Sequence, residues 1–348
     1  MNRYKVVIIG AGPAGLATAL NLIKYGVTDT LVVEKHAFPR YKCCAGYITS
    51  KTKKVYEDLG LNIDDCHYSL IKDFKILYKF NQRLKIDNKF LYTNRYIDRV
   101  ELDDSFFRLA KSKGVTVLEG VKIAAHNIEK NSVTLSDGSE IEYGNLVFAD
   151  GTCGFGSRYQ KNTKRNIAMQ LTFESNAPEA IDIHFGITKR GYAWVSSYGG
   201  ITNVGMTDVY KSAMDYKSVF SKFLKDLNLT ADIDNLKSAF TPIGVRKPVM
   251  NGNIFFMGDA VGACDPLTLS GLRYGLKSGE FCARAIAENK VKIYKRHIRK
   301  LKTKFDLMKI MLKLFYLKST LFLGFNLFCR CFGKTVSKIF NNFFVNKK

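Results

Sequence analysis

The 348-residue chain is short of acid: 31 Asp and Glu stand against 54 Lys and Arg, a formal net charge of +23. It also lacks the marks of a secretory leader, because Tyr4 to Ile9 runs straight into a glycine turn with no basic start or cleavage site before it. The expectation is a chain that stays in the cytoplasm. Its eight cysteines, with Cys43 and Cys44 adjacent and Cys329 and Cys331 one residue apart, form no disulfide framework, so the thiols are read as reduced. No pair of C-x-x-C elements exists and the five histidines are scattered, which argues against a zinc site. A run of about twenty uncharged apolar residues is missing too. Lys313 and Lys318 interrupt the most apolar stretch, Leu307 to Phe332, and Ser319 to Cys329 is too short to span a bilayer. There is no internal repeat and no low-complexity linker. No second G-x-G-x-x-G follows a strand, so a separate NAD(P)H domain is not expected.

What is present describes a globular protein of two packed subdomains, 46% apolar and 24% charged. The positive charge is unevenly placed. Residues 291–348 hold fifteen Lys or Arg against the single acid Asp306. These bases are interleaved with Leu, Phe, Ile and Met, a pattern that favours the anionic cytoplasmic face of a membrane over nucleic acid. The tail is therefore expected to be a basic amphipathic helix lying in the membrane interface, with a helix pair packed on the body as the alternative.

Residues 4–34 read as strand, glycine turn, helix and second strand, a βαβ unit of about thirty residues. Residues 35–50 lack periodicity and form a loop over the site. A helix is expected from Lys51 to Leu59, antiparallel strands from FKILYKF, RLKID and KFLYT between Tyr68 and Tyr92, and a helix from Asp103 to Gly114. VTVLEGVKI, SVTLS and LVFADG return the chain to the first domain. Residues 164–250 are strand-rich with a helix near Lys217 to Leu227, NIFFMGDA is a third buried strand, and Gly271 to Ala287 is helical.

Three segments carry chemistry. In G-x-G-x-x-G, Gly10 allows the tight turn, Gly12 lets the backbone approach a pyrophosphate, and Gly15 lets helix and strand pack closely. Glu34 ends the second strand where a carboxylate accepts hydrogen bonds from a ribose diol. LVFADG ends a strand in Asp150-Gly151. In GDAVGACDPLTLSG, Asp259 reaches a ribityl chain, and the turn at Gly271 offers N–H groups and a helix dipole to a flavin pyrimidine. In this order, the three segments point to FAD.

The chain resembles the geranylgeranyl reductase family of FAD-dependent oxidoreductases, in its compact form, over about residues 4–290. The resemblance rests on GAGPAG, VVEK, FPRYKCCAG, DRVELDDSFFRLA, GYAWV and GDAVG. It implies FAD contacts from Gly10, Gly12, Pro13, Ala14, Gly15, Glu34, Lys35, Arg99, Asp259, Gly271 and Leu272, with Ile123 near the adenine. Cys44, Ala45 and Gly46 would lie beside the isoalloxazine, and Tyr192 and Trp194 would bind substrate. DGTCGFGSR is longer than the family segment, and GYAWV continues as VSSYGG rather than a Phe-Pro-Lys run. Cys44, near Arg40 and Lys42, is the candidate catalytic thiol. Cys43, Cys66, Cys153, Cys264 and Cys282, with His36 and His184, are read as structural.

The fold implied is α/β: a Rossmann-type FAD-binding domain of the hydroxylase and reductase type (1–70, 99–160 and 251–290), an antiparallel β-sheet substrate domain (71–98 and 161–250) and a C-terminal helical tail (291–348). The expected function is FAD-dependent reduction of carbon–carbon double bonds in an isoprenoid or other apolar lipid. The rivals are a flavin-dependent monooxygenase or halogenase of the same fold, and a non-catalytic flavin-bound redox sensor using Cys43 and Cys44. NADPH, reduced flavin and ferredoxin all stand as electron donors.

Overall fold

A computed structural model describes residues 2–71, 73–85, 94–161 and 164–316. Its first layer is a sheet with the strand order Met250–Asn251, Ile254–Phe256, Glu140–Phe148, Asn2–Ile9, Thr30–Glu34, Thr116–Glu119. Four of its neighbouring pairs are parallel. The hairpin Ile123–Asn127 and Ser132–Leu135 extends it from Glu140–Phe148. Val6, Val7, Ile8, Leu146, Val147 and Phe148 are all fully buried, as befits strands covered on both faces.

Helix α1 (Pro13–Lys24) follows the first strand with Pro at its N-terminus, and α2 spans Ser50–Asp58. Helix α3 runs Arg99–Ser112, starting earlier than the sequence suggests because Asp98 caps it by accepting from Val100 N at 3.0 Å. Helix α4 is Tyr216–Asp226 and α5 is Leu272–Ala287. α1 and α5 pack closely: a Cβ on Gly279 would stand 2.7 Å from the Ala14 carbonyl oxygen and 2.9 Å from Thr18 Oγ1.

The second layer is a seven-stranded sheet, ordered Lys237–Pro242, Arg165–Glu174, Ile201–Val209, Ala193–Tyr198, Ala180–Phe185, Phe74–Tyr78, Asn81–Lys85. All its pairs are antiparallel except Ala180–Phe185 with Phe74–Tyr78, where the chain re-enters from the first layer. Phe220, Phe223 and Leu224 of α4 cover one face. Tyr68–Leu70 does not join this sheet. It pairs with Arg95–Ile97, which also pairs with Tyr47–Ile48 in a small third sheet. The expected strand KFLYT lies outside the described residues.

Helix α6 (Val291–Phe315) accounts for the first part of the tail. Tyr294, Ile298, Leu301, Phe305 and Met308 are buried at helical spacing against the main core, and the Tyr294 hydroxyl donates to the Phe256 carbonyl. This stripe therefore packs on the body as far as Met308. Leu307 and Ile310 on the other side are exposed. Among the described residues no helix is long and apolar enough to cross a membrane; residues 317–348 lie outside them.

Candidate functional site

The parallel strands converge at their carboxyl ends on the glycine turn. Gly10 adopts φ +106°, and a Cβ on Gly15 would lie 1.9 Å from the Gly10 carbonyl oxygen, so both glycines are required by the fold itself. Gly12 differs. It begins α1 with no side-chain cap, and a Cβ there would meet nothing closer than Arg40 Nη2 at 3.7 Å. With Pro13 and Ala14 in the first turn, this leaves an open cradle of helix N–H groups that suits a pyrophosphate.

Glu34 is buried, and its two oxygens accept from Ala11 N at 2.8 Å and His36 N at 3.1 Å. Arg40 links it to α3, standing 3.9 Å from Glu34 and 3.7 Å from Asp103. Asp103 takes Arg99 bidentately, at 2.9 and 3.0 Å. Arg99 is thus beside the Glu34 end of the sheet with most of its donors committed to its own helix. Lys35 is exposed, and its charge partly offsets the burial of Asp150. Ile123 is buried just beyond Val121, whose N–H donates to the Glu34 carbonyl at 3.1 Å.

Asp259 and Gly271 come together: a Cβ on Gly271 would stand 3.1 Å from Asp259 Oδ1 and 3.8 Å from Cys264 Sγ. Gly271 is the N-cap of α5, without a side-chain cap, and Leu272 opens the helix. Around this end of the sheet several buried polar atoms have no partner among the described residues: Asp150 Oδ1, Thr152 Oγ1 and Arg246 Nε. Arg246 is 1% exposed, donates to the Thr152 carbonyl at 2.6 Å, and feels the charges of Cys153, Asp259 and Asp150. Burial pushes Asp150 up to about 6, against the pull of the Gly156 N–H at 2.9 Å. Buried polar atoms left unsatisfied are costly, so this edge suits a polar ligand. The open cradle at Gly12 and these atoms together fit a bound FAD.

The loop bearing Cys44, Ala45 and Gly46 is clamped. Gly46 has φ +78°, a Cβ there would lie 2.4 Å from the Ile97 carbonyl oxygen, and Ile97 N donates to the Gly46 carbonyl at 3.0 Å. From the second sheet, Gln170 Nε2 donates to the Cys44 carbonyl at 3.4 Å and the Tyr41 hydroxyl at 3.2 Å. Burial, then the charge of Cys44, pushes the Cys43 thiol up to about 11, so that member of the pair is no thiolate. Burial raises Tyr96, Tyr192 and Cys264, with a smaller contribution from Cys44 in each. The Tyr192 hydroxyl donates to the Thr268 carbonyl at 2.8 Å in the loop before Gly271. Trp194 is 8% exposed, its Nε1 held by Asn203 Oδ1 at 2.6 Å and its ring over Gly205. Tyr198 stacks on Tyr96 with centroids 3.9 Å apart, and the Tyr96 hydroxyl donates to Ser196 Oγ at 2.5 Å. Just past the end of α6, the Tyr316 hydroxyl donates to the Gly191 carbonyl at 2.7 Å, beside Tyr192.

Sequence reasoning missed Tyr96, Tyr198, Gln170, Arg246 and Tyr316, none of which lies in a motif, and read Cys264 only as a buried structural thiol. Among the described residues no group of three His, Cys, Asp or Glu is placed to hold a metal.

This is a dinucleotide-binding sheet facing an aromatic-lined antiparallel sheet. Residues 3–137 match the FAD binding domain family. A menaquinone reductase of Mycobacterium tuberculosis is 27% identical over 81% of this chain and 76% of its own length. A digeranylgeranylglycerophospholipid reductase of Methanococcus vannielii is 25% identical over 82% and 78%. Among solved structures, a geranylgeranyl bacteriochlorophyll reductase-like protein of Thermoplasma acidophilum superposes with TM-score 0.78 at 19% identity, over 91% of this chain and 88% of that one. A flavin-dependent brominase reaches 0.75 at 18%, over 99% and 95%. The structural likenesses speak for the fold. The chain is an FAD-dependent oxidoreductase. Over most of its length it is similar to reductases of the geranylgeranyl and menaquinone type.

Proposed function

We propose that this oxidoreductase reduces carbon–carbon double bonds of an isoprenoid or other apolar lipid. The observation that carries the reading is the Cys44 loop, pinned at Gly46 against Ile97 and held from the second sheet by Gln170, with Tyr192 fixed through Thr268 to the loop before Gly271. Bound FAD, once reduced, supplies the hydride. Gly10, Gly12, Pro13, Ala14, Gly15, Glu34, Lys35, Arg99, Ile123, Asp259, Gly271 and Leu272 are proposed to hold the cofactor, with the three sheet layers dividing into FAD and substrate domains as outlined above. Tyr192, fixed through Thr268, and Trp194 form a wall that orients an apolar chain and excludes water. In this reading Cys44 Sγ hands a proton to the second carbon of the reduced bond. The basic, partly apolar outer side of α6, with the segment beyond it, is proposed to rest on an anionic membrane.

The test is anaerobic reoxidation of the photoreduced holoprotein by a geranylgeranyl lipid or a menaquinone, followed by mass spectrometry for the two-hydrogen product. Cys44→Ser is expected to keep FAD and slow reoxidation by about two to four orders of magnitude. A wild-type rate in that variant would overturn the role of Cys44. Absence of any reduced lipid, with dioxygen and bromide consumed instead, would replace the reductase reading by the halogenase one.

A further inference from the structure

We infer that Gln170 is a positioning residue of the reduction: it suspends the Cys44 loop from the second sheet, beside the Trp194 indole, and so sets where Cys44 stands against the lipid. This deepens the lipid-reductase reading and rests on it. Gln170 belongs to the strand Arg165–Glu174. Its neighbours Met169 and Leu171 lie in the core under α4, so alternation turns Gln170 to the opposite face. There it is 4% exposed. Among the described residues, both hydrogen bonds from the second sheet to residues 41–46 come from its carboxamide, which donates to the Tyr41 hydroxyl at 3.2 Å and the Cys44 carbonyl at 3.4 Å.

The chemistry of the two acceptors fixes the amide. A carbonyl oxygen only accepts, so the group on Cys44 must be the NH2, and its two protons serve the two partners. A buried amide is costly to strand without partners, so Gln170 and the loop hold each other. Neither bond touches the thiol itself. They act on the backbone that carries it: the Cys44 carbonyl is held by Gln170, and further along the Gly46 carbonyl accepts from Ile97 N at 3.0 Å.

Register supplies the link to the substrate wall. Gln170 stands opposite Gly205, and Gly205 stands opposite Trp194 on the next strand. A Cβ on Gly205 would run into the indole, so the ring lies where a side chain would stand, over the strand that separates it from Gln170. Asn203 Oδ1 pins the indole Nε1 at 2.6 Å, and Asn203 Nδ2 donates in turn to Thr172 Oγ1 at 2.8 Å, on the strand of Gln170. The proposed apolar wall and the Cys44 loop therefore meet at one buried amide. A lipid pressed on the indole and a thiol carried on the loop share that support.

The test uses the FAD-loaded full chain, anaerobic reoxidation of the reduced flavin by a geranylgeranyl lipid, and iodoacetamide alkylation of Cys44 read by mass spectrometry, with the exposed Cys153 as reference. Gln170→Leu should keep FAD and the KM of the parent, lower kcat by about tenfold to a hundredfold, and speed Cys44 alkylation by about tenfold. Gln170→Glu keeps the shape but donates only when protonated, and a carboxyl buried there titrates above its usual range. Its kcat relative to the parent should therefore be low above neutral pH and recover as the pH falls. In a Cys44→Ser background Gln170→Leu should lower kcat no further, since it acts through the thiol. Parent kcat and parent alkylation in the Leu and Glu variants overturn the inference. So does a KM effect without a kcat effect, a Glu variant whose deficit ignores pH, or a loss that adds to that of Cys44→Ser. If the parent reduces no lipid, the reductase reading fails by itself, and the alkylation rates still decide whether Gln170 holds the loop.

Discussion

The two glycines that open α1 ought to fail in opposite ways. At Gly15 a methyl group would sit 1.9 Å from the Gly10 carbonyl oxygen and 3.3 Å from Ala149 Cβ, a backbone clash that no rotamer relieves. Gly15→Ala should therefore damage the fold itself, by about 1–3 kcal/mol or more, as overpacking does. At Gly12 the backbone is extended, φ −69° and ψ 173°, and the added methyl meets only the end of Arg40 at 3.7 Å. Its cost to the apoprotein is that of Ala at a helix N-cap, about 0.5–1 kcal/mol. The methyl would instead fill the cradle through which a pyrophosphate approaches the N–H groups, and FAD affinity should fall by about tenfold to a hundredfold, or roughly 1.4–3 kcal/mol. Urea unfolding of the apoproteins and fluorescence titration with FAD separate the two effects. If Gly12→Ala binds FAD like the parent, the open space at Gly12 is not where the pyrophosphate sits, and the assignment built on it fails.

Two further outcomes follow from buried polar groups. His184 lies between Phe80 and Phe223, each with centroids 5.4 Å away, and burial pushes it down to about 4 with neither ring nitrogen bonded among the described residues. A base whose pKa falls on folding binds fewer protons when folded, so its contribution is intact above about pH 6.5 and is lost toward pH 4. Integrated from pH 7 to pH 5 the loss is about 2 kcal/mol, and His184→Leu should flatten that part of a urea-stability profile. Arg246→Met keeps the volume but leaves the Thr152 carbonyl unpaired and removes the cation near Asp150 and Asp259. The apoprotein should lose about 1–3 kcal/mol and bind FAD more weakly, and parent values for both would show that Arg246 is only a filler.

The dinucleotide half was legible because its constraints are local. Gly10 is dictated by its own φ of +106° and Gly15 by the Gly10 carbonyl five residues before it, the strand–turn–helix period is unbroken, and Gly271 stands directly at the start of its helix. The substrate half was legible only as strands, since its side chains meet across long separations: Tyr96 reaches Ser196, and Gln170 reaches Cys44. The tail is ambiguous for a physical reason. Alternating Lys with large apolar residues is what a helix in a membrane interface needs, and also what a helix needs when it packs one side on a core and shows the other to water. Composition cannot separate the two. The burial of Tyr294, Ile298, Leu301 and Phe305 shows one side of α6 packed on the core.

The loop between Glu34 and Gly46 joins the proposed cofactor site to the proposed reaction centre. Its near end is held by the Glu34 carboxylate through His36 N and Arg40, and its middle by Phe38, stacked on Phe107 at 4.2 Å with its N–H on Glu119 at 3.0 Å. Its far end is pinned at Gly46 against Ile97. A loop fastened at three points has little freedom left, so Cys44 is carried as a fixed part of the scaffold. The same carboxylate that anchors the loop is the proposed ribose acceptor. A ribose hydroxyl arriving at Glu34 must share it with Ala11 N, His36 N and Arg40, and any shift in Arg40 passes to Asp103 and Arg99. If FAD places its ribose on Glu34 as proposed, its adenosine end is joined to the Cys44 loop through these contacts.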